Sequence, residues 1–581
     1  MADILRIDLT TGTTRFESLD PQLVVDYIGS KGIGSHLLLE EVPADADPLG
    51  PQNKLLFTCG PLSGSAMPGT NRYAVYFLSP QTGGYGEAYC GGKLATQFAR
   101  TGHRMVILEG AASSPVYVEV SDEGATIHPA DDLWGLDTYE AETRMLEKTG
   151  VRQAQACVIG PGGERLVRFA TIQHEHTHSL GRGGAGAVMG AKKVKGLVFH
   201  GSSRPQVARP DEFKSLVKEM AEQCKDNGTV NAYHTYGTVQ LVKPLNSIGA
   251  FPTRYWTKGR LDGWEQLSGD AMVETYKVGN TTCPPCVIAC GHVCRVPDGP
   301  LAGLEIDGPE YETIWSFGGL CEIVDFPFIM LCNDICDREG IDTMTAGSLC
   351  GLAIEASRRG LIDERLDYGD AIGVELFLRR MARREGKTPD LFAEGILTVE
   401  KELGLEGVAV HVKGMDPAAY DPRRTTGMGL GYATSTRGAC HMRSTFIRAE
   451  LVGLSELGAL EGKGELYVAW ENRLVIMDTM IFCRFYRDML EWPFLTRIVN
   501  AAVGTDYTAE ELDAIANRIV TETHRFNELR GFGPESERLP AWITERPLEG
   551  DDGHSYRFSA DDLEYMVKDY YAARGWGQPP A

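Results

Sequence analysis

Thr282-Cys-Pro-Pro-Cys-Val-Ile-Ala-Cys-Gly-His-Val-Cys294 places four thiols within twelve residues of a 581-residue chain. Thiolates are soft ligands, and a short loop that carries several of them can direct their sulfurs at one zinc ion or one iron–sulfur cluster. The spacing is C-x2-C-x3-C-x3-C, whereas zinc ribbons usually carry two C-x2-C pairs separated by a longer loop. The pattern therefore favours an iron–sulfur cluster, with structural zinc or free cysteines as alternatives. From spacing alone, the fourth ligand is either Cys294 or a distant cysteine.

Charge restricts the classes of function. Lys and Arg total 57 and Asp and Glu total 80, which gives a formal net charge of −23. Nucleic-acid binding normally starts from a basic surface, so we expect no nucleic-acid partner. No stretch approaches the roughly 20 consecutive apolar residues of a membrane span. The first residues carry acids where a signal peptide would be basic and then apolar. The sequence therefore predicts a cytoplasmic protein without a membrane span.

The N-terminal third of the chain has the pattern of a β-rich domain. Residues 1 to about 205 contain short apolar runs, rich in β-branched and aromatic residues and bounded by Gly, Pro or Ser, which predict strands. These runs are 54–58, 73–78, 105–108, 115–120 and 195–200. We therefore expect a β-rich domain over residues 1–205.

The pattern becomes helical after Pro210, where a proline and two acids precede apolar residues at helical spacing. Further helical stretches are predicted at about 325–360, 370–384 and 389–403, and a glycine- and proline-containing break puts a domain boundary near 410. Thr508-Ala-Glu-Glu511 is a capping box that opens a helix to about Leu529, and another helix covers 563–574 before Gly575. The sequence thus predicts an α+β protein: a β-rich N-terminal base domain, then two mainly helical domains over residues 206–410 and 411–581.

Gly181-Arg-Gly-Gly-Ala-Gly186 satisfies the G-x-G-x-x-G pattern of dinucleotide-binding folds. That fold requires an apolar parallel strand directly before the loop and an acidic residue about 20 positions later. The preceding Gln173-His-Glu-His-Thr-His-Ser179 is polar, and no acidic residue closes a second apolar run. We therefore reject nicotinamide binding here. Glycine amides and Arg182 instead suit contacts to a phosphate, with a simple tight turn as the alternative.

The histidines at 174, 176 and 178 alternate along the chain, so on a single strand they would share one face. That arrangement resembles a metal site. Polar alternation beside a loop more often lines solvent or a ligand, which is the interpretation we prefer.

As an ordered set, the motifs resemble the aldehyde ferredoxin oxidoreductase family of tungstopterin enzymes, and the similarity covers nearly the whole chain. The segments that carry it are Ile4-Leu-Arg-Ile-Asp-Leu-Thr-Thr-Gly12, the loop 181–190, Cys283-x2-Cys286-x3-Cys290, Gly308-Pro-Glu-Tyr-Glu-Thr313, Asp337-Arg-Glu-Gly-Ile-Asp342, Arg437-Gly-Ala-Cys-His441 and Tyr570-Tyr-Ala-Ala-Arg-Gly-Trp576. The resemblance implies a β-rich base for two pterins with two helical domains above it, so that the cofactors lie between the domains.

In the family, a [4Fe-4S] cluster is held by the three-cysteine motif and by a fourth cysteine that ends a D-x-x-G-L-C motif. The matching segment here is Asp478-Thr-Met-Ile-Phe-Cys483. The resemblance therefore implies Cys283, Cys286, Cys290 and Cys483 as ligands, in preference to Cys294. Ile481 stands where the motif has glycine, a departure that concerns the geometry of the local turn.

The resemblance also implies a tungsten or molybdenum atom held by the dithiolenes of two pterins, with a magnesium ion that bridges the pterin phosphates as a further expectation. Carboxylates suit pterin binding because they accept hydrogen bonds from its amino and N–H groups. Without the family, Asp337 and Asp342 would be an ordinary turn at a helix end. The implied cofactor-binding residues are Arg72, Gly91, Arg182, Gly183, Gly184, Asp337, Gly340, Asp342 and Asp478.

Glu312 and His441 match the family's active-site pair. Our hypothesis is that Glu312 acts as a general base on the attacking oxygen species, while His441 polarises the carbonyl of an aldehyde that becomes a carboxylate. Outside the family context, Glu312 would be a solvated acid and His441 an ordinary loop or core histidine. Glu310, two residues away, is the main competitor for the catalytic role.

Electrons should leave through the cluster to a ferredoxin or a ferredoxin-like subunit, and a separate flavin or NAD subunit is needed if nicotinamide is the final acceptor. Some family members bridge two subunits with iron bound by an E-x-x-H motif. Here that stretch is Leu331-Cys-Asn-Asp334, so we predict that this metal is missing.

Two other functions compete with aldehyde oxidation. The related catalytic subunit of benzoyl-CoA reductase keeps the cofactors but needs a CoA pocket and a cysteine on the metal, for which Cys321 and Cys440 are candidates. A zinc-stabilised scaffold without enzymatic activity is the third interpretation.

Overall fold

Two six-stranded sheets form the N-terminal part of the molecule. The structure, a computed structural model, describes residues 4–577. The first sheet contains β1 Ile4–Asp8, β2 Thr13–Glu17, β3 Leu55–Cys59, β4 Tyr73–Leu78, β5 Tyr85–Cys90 and β6 Met105–Glu109. Its order is β2-β1-β6-β3-β4-β5, and neighbouring strands are antiparallel except for β1 and β6.

The second sheet has the order β11-β10-β9-β12-β7-β8, and only β7 and β12 of these neighbours are parallel. Its strands are β7 Val116–Ser121, β8 Gly124–Pro129, β9 Gln155–Val158, β10 Ile172–His174, β11 His178–Leu180 and β12 Val194–Phe199. The helices of this region are α1 Pro21–Tyr27, α2 Ser30–Glu41, α3 Leu94–Arg100, α4 Thr138–Thr149, α5 Pro161–Glu164 and α6 Ala185–Ala191.

The central strands of the first sheet are buried on both faces, whereas its edge strand β2 is exposed. Leu55 and Phe57 of β3 pack toward the second sheet, in a core that also contains Leu197 and Phe199 of β12. The intervening Leu56 points the other way, into a core shared with C-terminal helices. This alternation follows from the two-residue period of a strand, and it explains why the strands of this sheet read as continuous apolar runs.

The middle of the chain is mainly helical. Its helices are α7 Pro210–Cys224, α8 Gly228–Tyr236, α9 Val242–Ser247, α10 Gly269–Ala271, α11 Tyr311–Thr313, α12 Phe326–Glu339, α13 Thr343–Arg358, α14 Ala371–Arg383, α15 Lys387–Ala393 and α16 Ile396–Leu403, with π-helical turns at Met272–Tyr276 and Ile314–Gly319 and 3-10 turns at Gly237–Leu241 and Trp264–Leu267. An antiparallel sheet of β13 Lys277–Thr281, β14 Gly291–Arg295 and β15 Glu305–Asp307 interrupts the helices. The loop with the first three cysteines connects β13 to β14.

The C-terminal part is also helical. It contains α17 Thr426–Thr434, α18 Ile447–Leu451, α19 Lys463–Met480, α20 Trp492–Val503, α21 Ala509–Glu528, α22 Ala541–Thr544 and α23 Ala560–Arg574, with 3-10 turns at Arg484–Tyr486 and Pro534–Ser536 and a hairpin of β16 Leu548–Glu549 and β17 Ser555–Tyr556. The predicted capping box opens α21: the Thr508 hydroxyl accepts from the Glu511 amide at 3.2 Å, and the Glu511 carboxylate accepts from the Thr508 amide at 2.8 Å.

The predicted fold class, a β-rich base followed by helical regions, is confirmed. One predicted helix, at 389–403, is in fact two, because Gly395 adopts a φ of +86° between α15 and α16. The domain boundaries near 205 and 410 remain predictions. None of the helices within residues 4–577 has the length and apolar character needed to cross a bilayer.

Candidate active site

A cavity of about 450 Å³ lies where the base and both helical regions meet. Its wall includes ten of the residues that the sequence singled out. These are Arg72, Gly91, Cys283, Cys286, Cys290, Glu312, Asp337, Asp342, His441 and Cys483. The other five predicted catalytic, cofactor-binding or metal-binding residues do not line it, namely Arg182, Gly183, Gly184, Gly340 and Asp478.

The four predicted cluster cysteines share one side of this cavity. Cys283, Cys286 and Cys290 come from the β13–β14 loop, and Cys483 follows the end of α19. Burial raises the pKa of Cys283 to about 11, and the nearby Cys483 and Cys286 thiolates add to that rise. Burial likewise raises the pKa of Cys290, with further contributions from the same neighbours. Thiols from distant segments are therefore close enough to repel one another when ionised, as ligands of one centre would be.

Cys294 lies elsewhere. It is fully buried on β14, in the core formed by the helical regions. Within residues 4–577, no group of three or more His, Cys, Asp or Glu side chains is spaced to hold a single metal ion. An iron–sulfur cluster separates its cysteines more widely than a zinc ion does, because several metal atoms lie between them.

Arg72 and Gly91 lie beside the thiols. The charges of Cys483 and Cys283 act against burial and raise the pKa of Arg72 overall. None of the residues that the structure describes accepts a hydrogen bond from this guanidinium, which is free to bind an anionic group. A Cβ atom at Gly91 would lie 2.7 Å from the Cys283 sulfur, so only glycine fits there.

The first predicted pterin motif forms the turn between α12 and α13. Gly340 has a φ of +70° and ends α12, while Asp342 caps α13 by accepting from the amides of Met344 and Thr345. Asp337 faces the cavity, and its carboxylate accepts a 2.6 Å hydrogen bond from the Asn333 amide group. Burial, helped by the charge of Asp334, raises the pKa of Asp337 well above its usual value.

The second predicted motif ends α19 in the same way, although it lacks the glycine. Ile481 adopts a φ of +69°, so the turn forms with isoleucine in the left-handed region. Asp478 is held by two buried arginines: one carboxylate oxygen accepts from Arg443 at 2.9 Å and from Arg484 at 2.7 Å. Asp478 therefore lies behind the cavity wall, while Cys483 reaches the cavity.

The glycine loop leads into α6, but its donors already have protein partners. Arg182 pairs with Asp416 at 2.8 Å and with Asp342 at 3.3 Å. The Gly183 amide donates to the Gln81 side chain at 3.0 Å, and Gly184 caps α6 in a left-handed conformation. Their phosphate contacts remain predictions. In the structure, the ion pair of Arg182 with Asp342 holds the Asp342 side chain in position.

Glu312 and His441 face each other across the cavity, with 3.7 Å between the His441 Nε2 and the Glu312 Oε1 atoms. The other Glu312 oxygen accepts from the Ala419 amide at 3.0 Å. Burial raises the pKa of Glu312 to about 8, although the Ala419 amide and Arg182 oppose the rise. Burial and Arg182 lower the pKa of His441 well below its usual value. At neutral pH the pair is therefore mostly uncharged.

Several polar atoms of this cavity have no hydrogen-bond partner within the described chain. They are the Glu312 Oε1, His441 Nδ1, Gln173 Oε1 and Ser179 Oγ atoms. Leaving a buried polar atom unpaired costs about 1–3 kcal/mol, so native proteins rarely do so without a ligand. A large polar cofactor fits such a lining.

Neither candidate for a metal-bound cysteine lines the cavity. Cys321 is buried in the helical core, near the carbonyl oxygens of Ser316 and Gly347. Cys440 is buried next to His441 and accepts from the Met442 amide at 3.3 Å. Burial would raise the pKa of Cys440, but three surrounding arginines, 437, 443 and 182, lower it overall.

The histidines at 174, 176 and 178 belong to a β10–β11 hairpin and not to one strand: His174 and His178 lie opposite each other on its two strands, and His176 lies in the turn. His174 is fully buried between Glu142 and Glu175, which outweigh burial and raise its pKa to about 9. His178 lines the cavity, with its Nε2 atom 3.7 Å from the Cys283 sulfur. The expectation that they line a ligand site thus applies to His178.

Sequence reasoning missed the arginines that hold Asp478 and the tyrosine beside the cysteine loop. Arg443 lies two residues after His441, and Arg484 directly follows Cys483. The Tyr486 hydroxyl is 3.2 Å from the Cys286 sulfur. These residues lie close in sequence to predicted site residues, and that was the signal that could have drawn attention to them. Closeness in sequence does not show, however, which carboxylate or thiol an arginine or tyrosine contacts.

Models of one known protein family match both the β-rich base and the helical regions of the chain. The family model described as aldehyde ferredoxin oxidoreductase, N-terminal domain, matches residues 4–201, and the model for domains 2 and 3 of that family matches residues 215–579. The chain belongs to the aldehyde ferredoxin oxidoreductase family. The resemblance drawn from the motifs is therefore confirmed, and the protein is an oxidoreductase.

Similar members of the aldehyde ferredoxin oxidoreductase family span almost the whole chain. The tungsten-containing aldehyde ferredoxin oxidoreductase of Pyrococcus furiosus is 33% identical, over 98% of this chain and 95% of its own length. That of Thermococcus kodakarensis is 34% identical, with the same coverage of both chains. The aliphatic sulfonate oxidoreductase WOR-like subunit of Pyrococcus furiosus is 26% identical over 99% of this chain and 94% of its own.

A solved structure shares the family fold. The active-site complex BamBC of benzoyl coenzyme A reductase, in complex with 1,5-dienoyl-CoA, superposes with a TM-score of 0.84. The match covers 99% of this chain and 94% of the other, at 20% sequence identity. At this identity the likeness establishes the fold alone.

Proposed function

We propose that this enzyme oxidises aldehydes to carboxylic acids at a tungsten centre held by two pterins, with molybdenum as the alternative metal. The observation that carries the proposal is that Cys283, Cys286, Cys290 and Cys483 line the same cavity as Glu312 and His441. An electron exit and a proton-transfer pair thus meet in one enclosed space. The names of the similar Pyrococcus and Thermococcus enzymes support tungsten and aldehydes.

The residues that would hold the cofactors line the cavity, except Asp478, which lies behind its wall. The four thiols would bind a [4Fe-4S] cluster, and Asp337, Asp342 and Asp478 would bind the two pterins, with Arg72 and Gly91 near their phosphates and a bridging magnesium ion. When bound, the pterin metal would supply two-electron redox chemistry and the cluster a single-electron exit.

Glu312 and His441 would handle the protons of the reaction. His441 is neutral and can donate one hydrogen bond to the carbonyl oxygen of an aldehyde. Glu312, with a pKa of about 8, can take a proton from the attacking oxygen species once it is ionised. The 3.7 Å between them leaves both free to contact the substrate rather than each other.

Electrons from the cluster would pass to a ferredoxin or a ferredoxin-like subunit. The cysteine loop is accessible for such transfer, because Val287 within it is 46% exposed. A separate flavin or NAD subunit would be required for reduction of nicotinamide.

Elemental analysis of the purified enzyme, together with aldehyde-dependent reduction of a viologen dye, tests the proposal. We expect tungsten or molybdenum, about four iron atoms per chain as in one [4Fe-4S] cluster, and dye reduction with members of an aldehyde panel. Zinc as the sole metal would contradict the proposal. So would an enzyme with its full metal content that fails to reduce the dye with every aldehyde of the panel.

A benzoyl-CoA reductase-like activity is the second candidate, because the solved structure with the same fold carries a dienoyl-CoA. The arrangement of Cys321 and Cys440 outside the cavity lining favours the aldehyde proposal over it. Dye reduction that depends on a dienoyl-CoA rather than on aldehydes would reverse that preference.

Glu312→Gln tests the assignment of the base. We expect turnover to fall by about 10²–10⁴-fold, the usual contribution of a general base, with unchanged tungsten and iron contents. Because the base form of Glu312 is populated above a pKa of about 8, kcat/KM of the native enzyme should rise with pH toward that value. This rise should be absent from the variant.

Glu310→Gln is the matched control. The Glu310 carboxylate accepts a hydrogen bond from the Thr238 hydroxyl and lines the same cavity. It should keep both the turnover and the pH profile of the native enzyme. If Glu310→Gln loses the activity and Glu312→Gln keeps it, the two roles must be exchanged.

A further inference from the structure

The sulfur atoms of two predicted cluster ligands receive hydrogen bonds from outside the cysteine loop. The Gly92 amide donates to the Cys283 sulfur at 3.1 Å, and the His178 Nε2 atom lies 3.7 Å from the same sulfur. The Tyr486 hydroxyl lies 3.2 Å from the Cys286 sulfur. Within residues 4–577, no side chain makes an equivalent contact to the sulfur of Cys290 or Cys483. The hydrogen-bond donors therefore contact two of the four predicted ligands, Cys283 and Cys286.

Tyr486 is oriented as a donor. Its hydroxyl oxygen accepts from the Val287 amide at 3.3 Å, which leaves its own proton free to point at the Cys286 sulfur. The ring is fully buried and rests on Gly69, where a Cβ atom would lie 2.4 Å from the ring. A tyrosine held this closely cannot rotate away from the sulfur without moving the backbone.

His178 is oriented in a comparable way. The Thr177 hydroxyl lies 3.4 Å from the Nδ1 atom and donates to the Glu175 carbonyl at 3.2 Å. In the tautomer that carries its proton on Nε2, the nitrogen that faces Cys283, His178 donates to that sulfur. Gly91 provides the space, since a Cβ atom there would be 2.7 Å from the Cys283 sulfur and 3.6 Å from the His178 ring.

Hydrogen bonds to the sulfurs are one of the factors that set the reduction potential of an iron–sulfur cluster. A donor stabilises negative charge on a thiolate, and reduction adds negative charge to the cluster. The donor therefore stabilises the reduced form more than the oxidised form, which raises the potential.

We propose that His178 and Tyr486 are positioning residues that raise the reduction potential of the cluster by hydrogen bonding to Cys283 and Cys286. This rests on the proposed function, which supplies the cluster. One donor comes from the β-rich base and the other from the C-terminal region, so each acts on the electron exit independently of the other and of the Glu312–His441 pair.

Redox titration of the purified enzyme, followed by the electron paramagnetic resonance signal of the reduced cluster, tests the proposal. Tyr486→Phe keeps the buried ring and removes only the hydroxyl. His178→Phe removes the second donor, and His178→Gln returns an N–H group near its position. We expect a lower midpoint potential in Tyr486→Phe and in His178→Phe, additive shifts in the double variant, and partial recovery in His178→Gln, all at native iron content.

Tyr117→Phe is the matched control, since Tyr117 is a buried tyrosine on β7 that stacks on His128, outside the cavity lining. Its midpoint potential should equal that of the native enzyme. Native potentials in both donor variants at full iron content would overturn the proposal. Loss of iron from Tyr486→Phe would also overturn it, by assigning the tyrosine to cluster assembly. Absence of an iron–sulfur signal from the native enzyme would instead overturn the proposed function.

Discussion

The two predicted pterin motifs end their helices with the same turn built from different residues. Gly340 ends α12 with a φ of +70°, and Ile481 ends α19 with a φ of +69°. The amide of each donates to the carbonyl of the motif aspartate, at 3.2 Å from Asp337 and 3.1 Å from Asp478. The comparison teaches that the motif preserves a left-handed helix end, which glycine makes easy but does not alone determine.

The chain opposite each turn explains why isoleucine is tolerated in only one of them. A Cβ atom at Gly340 would lie 2.7 Å from the Gly160 backbone nitrogen, which cannot move aside. At the second turn the glycine is on the opposing chain: a Cβ atom at Gly60 would lie 2.6 Å from the Ile481 Cβ atom. The buried Ile481 side chain thus occupies the space that Gly60 leaves.

The aspartates differ in charge environment. Asp478 accepts from two buried arginines, whereas Asp337 is surrounded by an amide group and by further acids, and burial raises its pKa well above the usual value. One motif is therefore built around a carboxylate that pairs with two arginines and the other around a carboxylate whose charged form is disfavoured by burial, although the two aspartates occupy equivalent positions in sequence.

The largest expected effect comes from Asp478→Asn. Removing one partner from a buried ion pair leaves uncompensated charge, here on Arg484, because Arg443 keeps its ion pair with Glu87, and typically costs about 3–5 kcal/mol. We expect a loss of this size in the free energy of unfolding of the purified enzyme, measured by urea denaturation.

Asp367→Asn is its control, because Asp367 pairs with Arg358 at 2.6 Å on the surface, where its side chain is 66% exposed. Exposed ion pairs contribute about 0–1 kcal/mol. Equal losses in the two variants would show that the burial of the Asp478 pair has no energetic consequence.

A second effect, smaller than the first, is expected from Gly340→Ala. An alanine in the left-handed region costs about 1–2 kcal/mol, and overpacking against Gly160 adds about 1–3 kcal/mol. We therefore expect a loss of about 2–5 kcal/mol in the free energy of unfolding, and a lower pterin content in the purified enzyme.

The reciprocal change, Ile481→Gly, should cost less. It removes a buried side chain worth about 2–4 kcal/mol but relieves about 1–2 kcal/mol of backbone strain. A greater loss from Ile481→Gly than from Gly340→Ala would mean that packing around Ile481, and not the backbone turn, holds the second motif together.

Much of the fold was predictable because its determinants are local. The run 73–78 predicted β4 with the bounds observed, and the Thr508 capping box predicted the start of α21. Spacing left the fourth cysteine ligand open, and it was the family resemblance of the segment 478–483 that pointed to Cys483.

The pairings across the chain were not predictable in this way. The contacts of Asp478 with Arg443 and Arg484 depend on how α19 packs, and no period or spacing encodes that packing. The three alternating histidines were ambiguous because two short antiparallel strands joined by a turn have the same polar sequence as one longer strand. The hairpin places His174 and His178 opposite each other, with His174 fully buried and His178 at the cavity.

Asp337→Asn is expected to cause no loss of stability, and its effect at pH 7 should have the opposite sign to that of Asp478→Asn. The pKa of Asp337 is raised in the folded protein, so burying its carboxyl group costs free energy at any pH at which Asp is ionised in the unfolded chain. That cost is absent below about pH 4, the pKa of an unfolded Asp, and grows as the pH rises from there toward the folded pKa. Asparagine carries no charge and can still accept from Asn333. The variant should therefore unfold with native free energy near pH 4 and gain stability relative to the native enzyme at pH 7. A loss at pH 7 as large as that of Asp478→Asn would mean that Asp337 is ionised in the folded protein and that the two motifs use the same chemistry.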